Sequence, residues 1–174
     1  EKASKVNIAM PEGQQKLVSE LAKTGKPVIA LVMCGRPVIS NEIREHADAV
    51  LCTWWLGSEA GNAICNVLCG EYNPSAKLPM TFPAHVGQIP IYYQNKSTGR
   101  PTALKQTYKA SYIDASTEPA YPFGYGLSYT DFGYSDLKLL PGKAAGVHTE
   151  VSVKVTNTGK CAGVEVIQLY VQDK

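Results

Sequence analysis

The chain has 174 residues, 44% hydrophobic and 18% charged, with 17 basic against 15 acidic side chains and a formal charge of +2. This composition excludes a disordered chain, and the absence of any basic block removes the electrostatic footprint of a nucleic-acid or anionic-membrane binder. The longest apolar run, residues 27–34, is far below the roughly 20 residues that span a bilayer, and no signal pattern opens the sequence, so any targeting segment is expected to lie outside it.

Residues 11–24 read as an amphipathic helix, because Leu17, Val18 and Leu21 fall at helical spacing and Gly25 supplies a stop. The apolar, partly β-branched run 27–33 then reads as a strand buried on both faces of a parallel sheet. Residues 37–46 are a candidate short helix, 49–55 a second buried strand and 59–69 a second clear helix. This alternation predicts an α/β layer fold with helices over a mostly parallel sheet.

From Asn73 onward Pro74, Pro79, Pro83, Pro90 and Pro101 forbid long regular elements and predict a loop-rich wrap, with a short strand around 77–82. After Phe132 the pattern changes again. Val151, Val153 and Val155 alternate with Ser152, Lys154 and Thr156, Asn157-Thr158-Gly159 makes a turn, and 164–172 alternates once more. That is antiparallel β-sandwich patterning with room for about three strands, which predicts an incomplete sandwich.

Two stretches and two histidines draw attention as chemistry. Trp54-Trp55-Leu56-Gly57-Ser58-Glu59-Ala60-Gly61-Asn62-Ala63-Ile64 runs from a strand into a helix, where α/β folds bind ligands, with Ser58 placed to cap the helix. Residue chemistry alone favours a packing hub here, in which case Gly61→Val should lower the melting temperature sharply. Tyr121-Pro122-Phe123-Gly124-Tyr125-Gly126-Leu127-Ser128-Tyr129-Thr130 suits an interdomain clasp or a sugar platform. His46 and His85 each lack the Ser or Cys partner that nucleophilic catalysis needs and read as exposed structural histidines. Asn95-Lys96-Ser97 matches a glycosylation sequon at chance level. The five cysteines are odd in number; Cys65 and Cys69 form an i, i+4 helical pair without a His or Cys set to complete a tetrahedral metal site, and buried free thiols are expected.

The order and spacing of Gly35-Arg36-Pro37, residues 54–64, Asn73-Pro74-Ser75-Ala76-Lys77-Leu78-Pro79-Met80-Thr81-Phe82-Pro83, Thr98-Gly99-Arg100-Pro101 and residues 121–130 resemble glycoside hydrolase family three, in particular β-glucosidases of the bacterial periplasmic type. The similarity covers nearly the whole chain. It implies a three-layer α/β sandwich domain with a mostly parallel sheet over residues 1–132, followed by the N-terminal part of a fibronectin type III-like domain over 133–174. It implies further that an N-terminal (β/α)8 barrel carrying the nucleophilic aspartate lies outside these residues.

In this family a glutamate from the α/β domain is the general acid/base. Placed by the pattern of Glu1-Lys2-Ala3-Ser4-Lys5-Val6-Asn7-Ile8, the resemblance makes Glu1 that glutamate, although the family more often has arginine where Lys5 stands. The implied protein is a retaining exo-acting β-glycosidase acting on a β-linked glucoside or related oligosaccharide, periplasmic or secreted. Neither a cofactor nor a metal is implied, substrate-binding residues are not assigned, and homo-oligomerisation stays open. The chain by itself is expected to be inactive. The alternatives are a noncatalytic carbohydrate-binding or scaffold module and a flavodoxin-like domain, the latter disfavoured because no Gly-rich phosphate loop follows a first strand.

Overall fold

The computed structural model describes residues 5–94, 96, 99–100, 110–140 and 149–171. The chain divides into two compact units, one made of Glu1–Ala60 with Leu78–Tyr125, the other of Gly61–Lys77 with Gly126–Lys174. Each unit contains one two-stranded sheet, the first parallel and the second antiparallel.

In the first unit, helix α1 (Glu12–Ala22) starts behind Pro11 and ends as expected, where Gly25 takes φ +68° and its N–H bonds the Ala22 carbonyl. Strand β1 (Ile29–Val32) follows, then α2 (Asn41–His46) and β2 (Ala49–Cys52). The parallel register pairs Ile29 with Ala49 and Val32 with Cys52, and α2 provides the crossover that parallel strands require. Asp48 fixes the entry to β2, because its carboxylate accepts the Val28 N–H at 2.8 Å. Helix α1 packs on α2.

Three expectations change in detail. Helix α2 is shorter than 37–46 because Ser40 is its cap, accepting the Ile43 N–H at 3.2 Å, while Ile39 instead pairs with Ala9 in an isolated parallel bridge. Strand β2 stops at Cys52 because Trp54 has a left-handed φ of 55°, incompatible with a continuing strand. The strands are not buried on both faces: Ile29 is 51% and Leu31 39% exposed, alternating with half-buried Ala30 and Val32. Of the fold expected for this part, the α/β character and the parallel pairing are present; two strands do not by themselves make a three-layer sandwich.

Residues 73–94 and 110–131 are loop-rich as the prolines require. The short strand expected near 77–82 is a broken antiparallel ladder within the first unit. Leu78 exchanges backbone bonds with Tyr125 and Gly124, and Phe82 with Tyr121, at 2.8–3.2 Å. One 3-10 turn, Val86–Gln88, interrupts the loops.

The second unit holds helix α3 (Ala60–Leu68), apart from its first residue, and strands β3 (Phe132–Leu140) and β4 (Glu150–Asn157). On β4 the valines 151, 153 and 155 are half-buried and their neighbours exposed, as the alternation predicts. The register shifts between Ser135 and Lys138, where Asp136 has φ 55°, a bulge that bends the strand. The turn after β4 is closed by the Asn157 carboxamide, which accepts the Gly159 N–H at 3.0 Å. Residues 164–171 form no strand, so the antiparallel sheet is two-stranded among the described residues and no sandwich is closed.

Asn73 gathers the loops of this unit. Its Nδ2 donates to the Ala162 carbonyl at 3.0 Å, and its Oδ1 accepts from Ser128 Oγ and the Tyr129 N–H at 2.9 and 2.8 Å. Beside it Lys77, 17% exposed, donates to the Gly126 carbonyl at 2.8 Å and pairs with Glu165 at 3.3 Å. Gly126 is obligatory there, since a Cβ would stand 2.5 Å from the Ala76 carbonyl oxygen.

Gly61 behaves otherwise. A Cβ at this position would meet no described atom within 4 Å, so alanine fits without a clash and the close approach that a packing hub would need at Gly61 is not seen at the first side-chain carbon. Glycine weakens a helix interior by roughly 0.5–1 kcal/mol relative to alanine, but Gly61 is only the second residue of α3, so Gly61→Ala is expected to raise the melting temperature slightly, by about 0–2 °C. A fall of several degrees in a thermal melt would contradict this.

Candidate functional site

Glu1 lies outside the described residues, but the segment leading to it is anchored. The Met10 N–H bonds the Ile39 carbonyl at 2.8 Å, and the Ile39 N–H bonds the Ile8 carbonyl at 3.0 Å. Asn7 turns the chain just before this anchor by accepting the Ala9 N–H at 2.9 Å. Lys5 and Val6 are exposed, Val6 at 96%. Glu1 is seven residue steps from Ile8, a tether of at most about 23–25 Å when fully extended.

The carboxyl end of the parallel strands is built from Cys34-Gly35 after β1 and Thr53-Trp54-Trp55 after β2. The left-handed φ of Trp54 turns consecutive indoles apart. Trp54 goes inward and meets the buried Phe82 edge-to-face at 5.8 Å, whereas Trp55 is 74% exposed. Gly35 passes against one side of the Trp55 indole so closely that a Cβ would stand 3.2 Å from it.

Phe82 continues the aromatic chain to Tyr121 at 6.4 Å, and Tyr121 to Tyr125 at 5.1 Å. Tyr93 stacks on Phe123 at 4.5 Å. Residues 54–64, 73–83 and 121–130 thus each supply members of one aromatic column, and Trp54, Phe82 and Tyr121 are packed rather than presented. Burial, with the neighbouring Tyr125, raises the Tyr121 phenol above its ordinary range against the opposing pull of Arg44.

The two weighed histidines are structural in setting. His46 is exposed and pairs with Glu42 at 3.2 Å one turn away on α2, and the exposed His85 opens the 3-10 turn. The sequon residues Asn95 and Ser97 lie outside the described residues, as do Thr98 and Pro101.

All five cysteines are free, but only Cys34 is buried; Cys52 is half-buried and Cys65, Cys69 and Cys161 are exposed. The expectation of five buried thiols is therefore corrected. Burial, and then the neighbouring Cys34, push the Cys52 thiol up to about 11. Cys52 contributes stability fully below the ordinary thiol value of 9.0, and this is lost as pH rises from 9 toward 11, because the unfolded thiol releases its proton first. With a disulfide reagent at pH 8, the exposed Cys65 and Cys161 are expected to react fast, and Cys34 and Cys52 at least tenfold more slowly. Five equal rates would contradict the burial pattern.

The description "Glycosyl hydrolase family 3 C-terminal domain" matches residues 1–129, nearly three quarters of the chain. The chain belongs to glycosyl hydrolase family 3. Among family 3 relatives it is 48% identical over 176 residues to the periplasmic beta-glucosidase of Salmonella typhimurium, covering 99% of this chain and 23% of that protein. It is 46% identical to a beta-xylosidase of Formosa agariphila, over 92% of this chain and 22% of the relative. A β-glucosidase structure from Erythrobacter marinus aligns with a TM-score of 0.74 at 36% identity, over 90% of this chain and 20% of that one. The Listeria innocua β-glucosidase crystallised with isofagomine gives 0.71 at 32%, over 88% and 27%. The chain therefore spans about a quarter of the length of the family 3 proteins it matches.

Sequence reasoning passed over Asn73 as a hub, Gln88 and the Cys34–Cys52 pair. Asn73 stood inside a quoted motif, yet its partners Ala162, Ser128 and Tyr129 lie 55 or more residues away. No local pattern reports such contacts.

Proposed function

We propose that this chain is the acid/base side of a retaining, exo-acting β-glycosidase that removes terminal β-linked sugars, with Glu1 as the general acid/base. The observation that carries the proposal is the near-complete coverage of the chain by enzymes named as glucosidases and xylosidases, the first at 48% identity. In this reading residues 1–132 are the α/β sandwich domain and 133–174 the first part of a fibronectin type III-like domain; the parallel β1–β2 pair and, but for Phe132, the antiparallel β3–β4 pair fall on opposite sides of that boundary, whereas the compact units group residues 61–77 and 126–132 with β3 and β4. The aspartate nucleophile comes from a barrel domain outside these 174 residues. A periplasmic or secreted location is supported by the name of the Salmonella relative; among the described residues no helix is long and apolar enough to cross a membrane.

The chemistry follows from the bond being cleaved. An alkoxide is too poor a leaving group at neutral pH, so a carboxylic acid must hand its proton to the glycosidic oxygen. A second carboxylate, roughly 5–5.5 Å away, attacks the anomeric carbon from the opposite face, and the first carboxylate then deprotonates the water that releases the sugar. Glu1 performs the proton transfers. The Ile8–Met10 anchor on Ile39 sets where its tether begins, and the tether lets the carboxyl reach a site formed elsewhere.

Aryl β-glucosides and aryl β-xylosides test the proposal. The intact protein is expected to turn over at least one of them, and the 174-residue chain alone neither. Turnover by the isolated chain that disappears in Glu1→Gln would show that it holds both carboxylates and overturn the division of labour. A sugar-binding role without catalysis has one observation in its favour, the exposed Trp55 indole backed by Gly35. Titration calorimetry of the chain with cellobiose decides it: binding lost in Trp55→Ala supports that role, and no heat excludes it.

A further inference from the structure

Outside the proposed catalytic machinery, the C-terminal end of α3 carries two exposed thiols on one helix face. Helical geometry brings positions i and i+4 together, and the Cys69 N–H continues the helical pattern by bonding the Cys65 carbonyl at 2.8 Å. The two sulfurs stand 3.7 Å apart. That spacing permits two outcomes in principle, a disulfide or a shared cation, and geometry separates them.

A disulfide requires Cβ atoms about 3.5–4.5 Å apart, whereas i, i+4 positions on a helix hold them at about 5–6 Å. Closing the bond would unwind the last turn. A tetrahedral metal with metal–sulfur bonds of about 2.3 Å spans two of its thiolates at about 3.8 Å, the edge of the tetrahedron. The helix already holds the sulfurs at that edge length.

We propose that Cys65 and Cys69 form a two-thiolate seat for a thiophilic divalent cation of the zinc class, with the remaining coordination positions taken by water. No third His, Cys, Asp or Glu joins them in a metal-binding group among the described residues, which makes the seat open and exchangeable rather than a closed structural site. Binding is a ligand exchange without redox change. Each thiol releases its proton to solvent, and two sulfur–metal bonds replace two metal–water bonds.

A bound dication would also pin the end of α3, where Val67 O accepts the Tyr129 hydroxyl at 2.7 Å and Asn66 O the Tyr72 N–H at 3.0 Å.

Cadmium is a suitable probe, because thiolate-to-cadmium charge transfer absorbs in the near ultraviolet. The reduced protein, titrated with Cd2+ without oxygen, is expected to develop this band to a plateau at one cation per chain, and Zn2+ is expected to displace it. Cys65→Ser and Cys69→Ser should each weaken uptake at least tenfold, and Cys161→Ser should leave it unchanged. Both serine variants alter exposed positions, and an unchanged far-ultraviolet spectrum verifies their fold. One cation per two chains with dimer formation also supports the seat, the second copy then filling the open positions. No band in the reduced protein, or a band that survives in either variant, overturns the proposal.

Discussion

Replacing Gln88 with leucine is expected to lower the melting temperature by roughly 10 °C. Gln88 is 6% exposed and uses both ends of its amide. Its Oε1 accepts the Ala84 and His85 N–H groups at 2.7 and 3.1 Å, and its Nε2 donates to the Ser116 and Glu118 carbonyls, each at 3.0 Å. One side chain thus satisfies backbone from two loops about 30 residues apart, next to the buried Phe82, Pro83 and Ala84. Leucine keeps the volume and leaves four backbone groups to find water. At about 1–3 kcal/mol for the buried Ala84 N–H left unpaired and about 0.5–1.5 kcal/mol for each of the three part-buried bonds, with partial relaxation of the loops, the loss is about 3–5 kcal/mol. At roughly 2–4 °C per kcal/mol for a chain of this size, the shift is large.

Gln88→Glu sharpens the test. An ionised carboxylate would still accept from Ala84 and His85 but would face two carbonyl oxygens with no proton to offer. The protonated form would restore one donor, so the folded protein holds that proton more tightly than the unfolded chain does. The variant is therefore expected to gain stability as pH falls from 7 toward 5, relative to the parent. Melting temperatures within 2 °C of the parent for both variants would refute the hub role.

Much of the local structure was legible because local causes set it. Leu17, Val18 and Leu21 marked α1, Gly25 its end, and the prolines from 74 onward the absence of long elements. The valines at 151, 153 and 155 marked β4 and its half-buried face. Burial was harder to read, because a continuous apolar run such as 27–33 states only that a strand is apolar, whereas exposure depends on what lies against it. Ile29 and Leu31 have no neighbours on one side among the described residues sufficient to bury them. Strand pairing at 164–171 likewise needs a partner edge that alternation alone does not supply.

The candidate site divides in the same way. Motif order was enough to identify the family, but the roles of the motifs were not in their composition. Trp54 and Trp55 are identical neighbours in sequence and opposite in setting, one packed on Phe82 and the other exposed, because a single left-handed residue separates their directions. Gly61 and Gly126 are equally alike on paper. Only Gly126 faces a backbone oxygen that excludes a Cβ.

The second large effect is expected at Glu1. Under the proposed acid/base assignment, Glu1→Gln in the intact protein removes a proton donor while keeping shape, and general acid catalysis typically accounts for a factor of about 10²–10⁴. The loss depends on the leaving group. A dinitrophenolate departs without protonation, so formation of the glycosyl-enzyme from a dinitrophenyl β-glycoside should survive, whereas cellobiose, whose leaving group is an alkoxide, should lose the full factor. Release of the intermediate also slows, because no base activates water, and azide, a nucleophile that needs no base, should restore turnover of the activated substrate.

The most direct measurement compares kcat/KM of parent and Glu1→Gln on dinitrophenyl β-glucoside and on cellobiose. The acid/base assignment predicts near-parental kcat/KM on the first and a loss of at least about a hundredfold on the second. Equal losses on both substrates, or no loss on either, would contradict it.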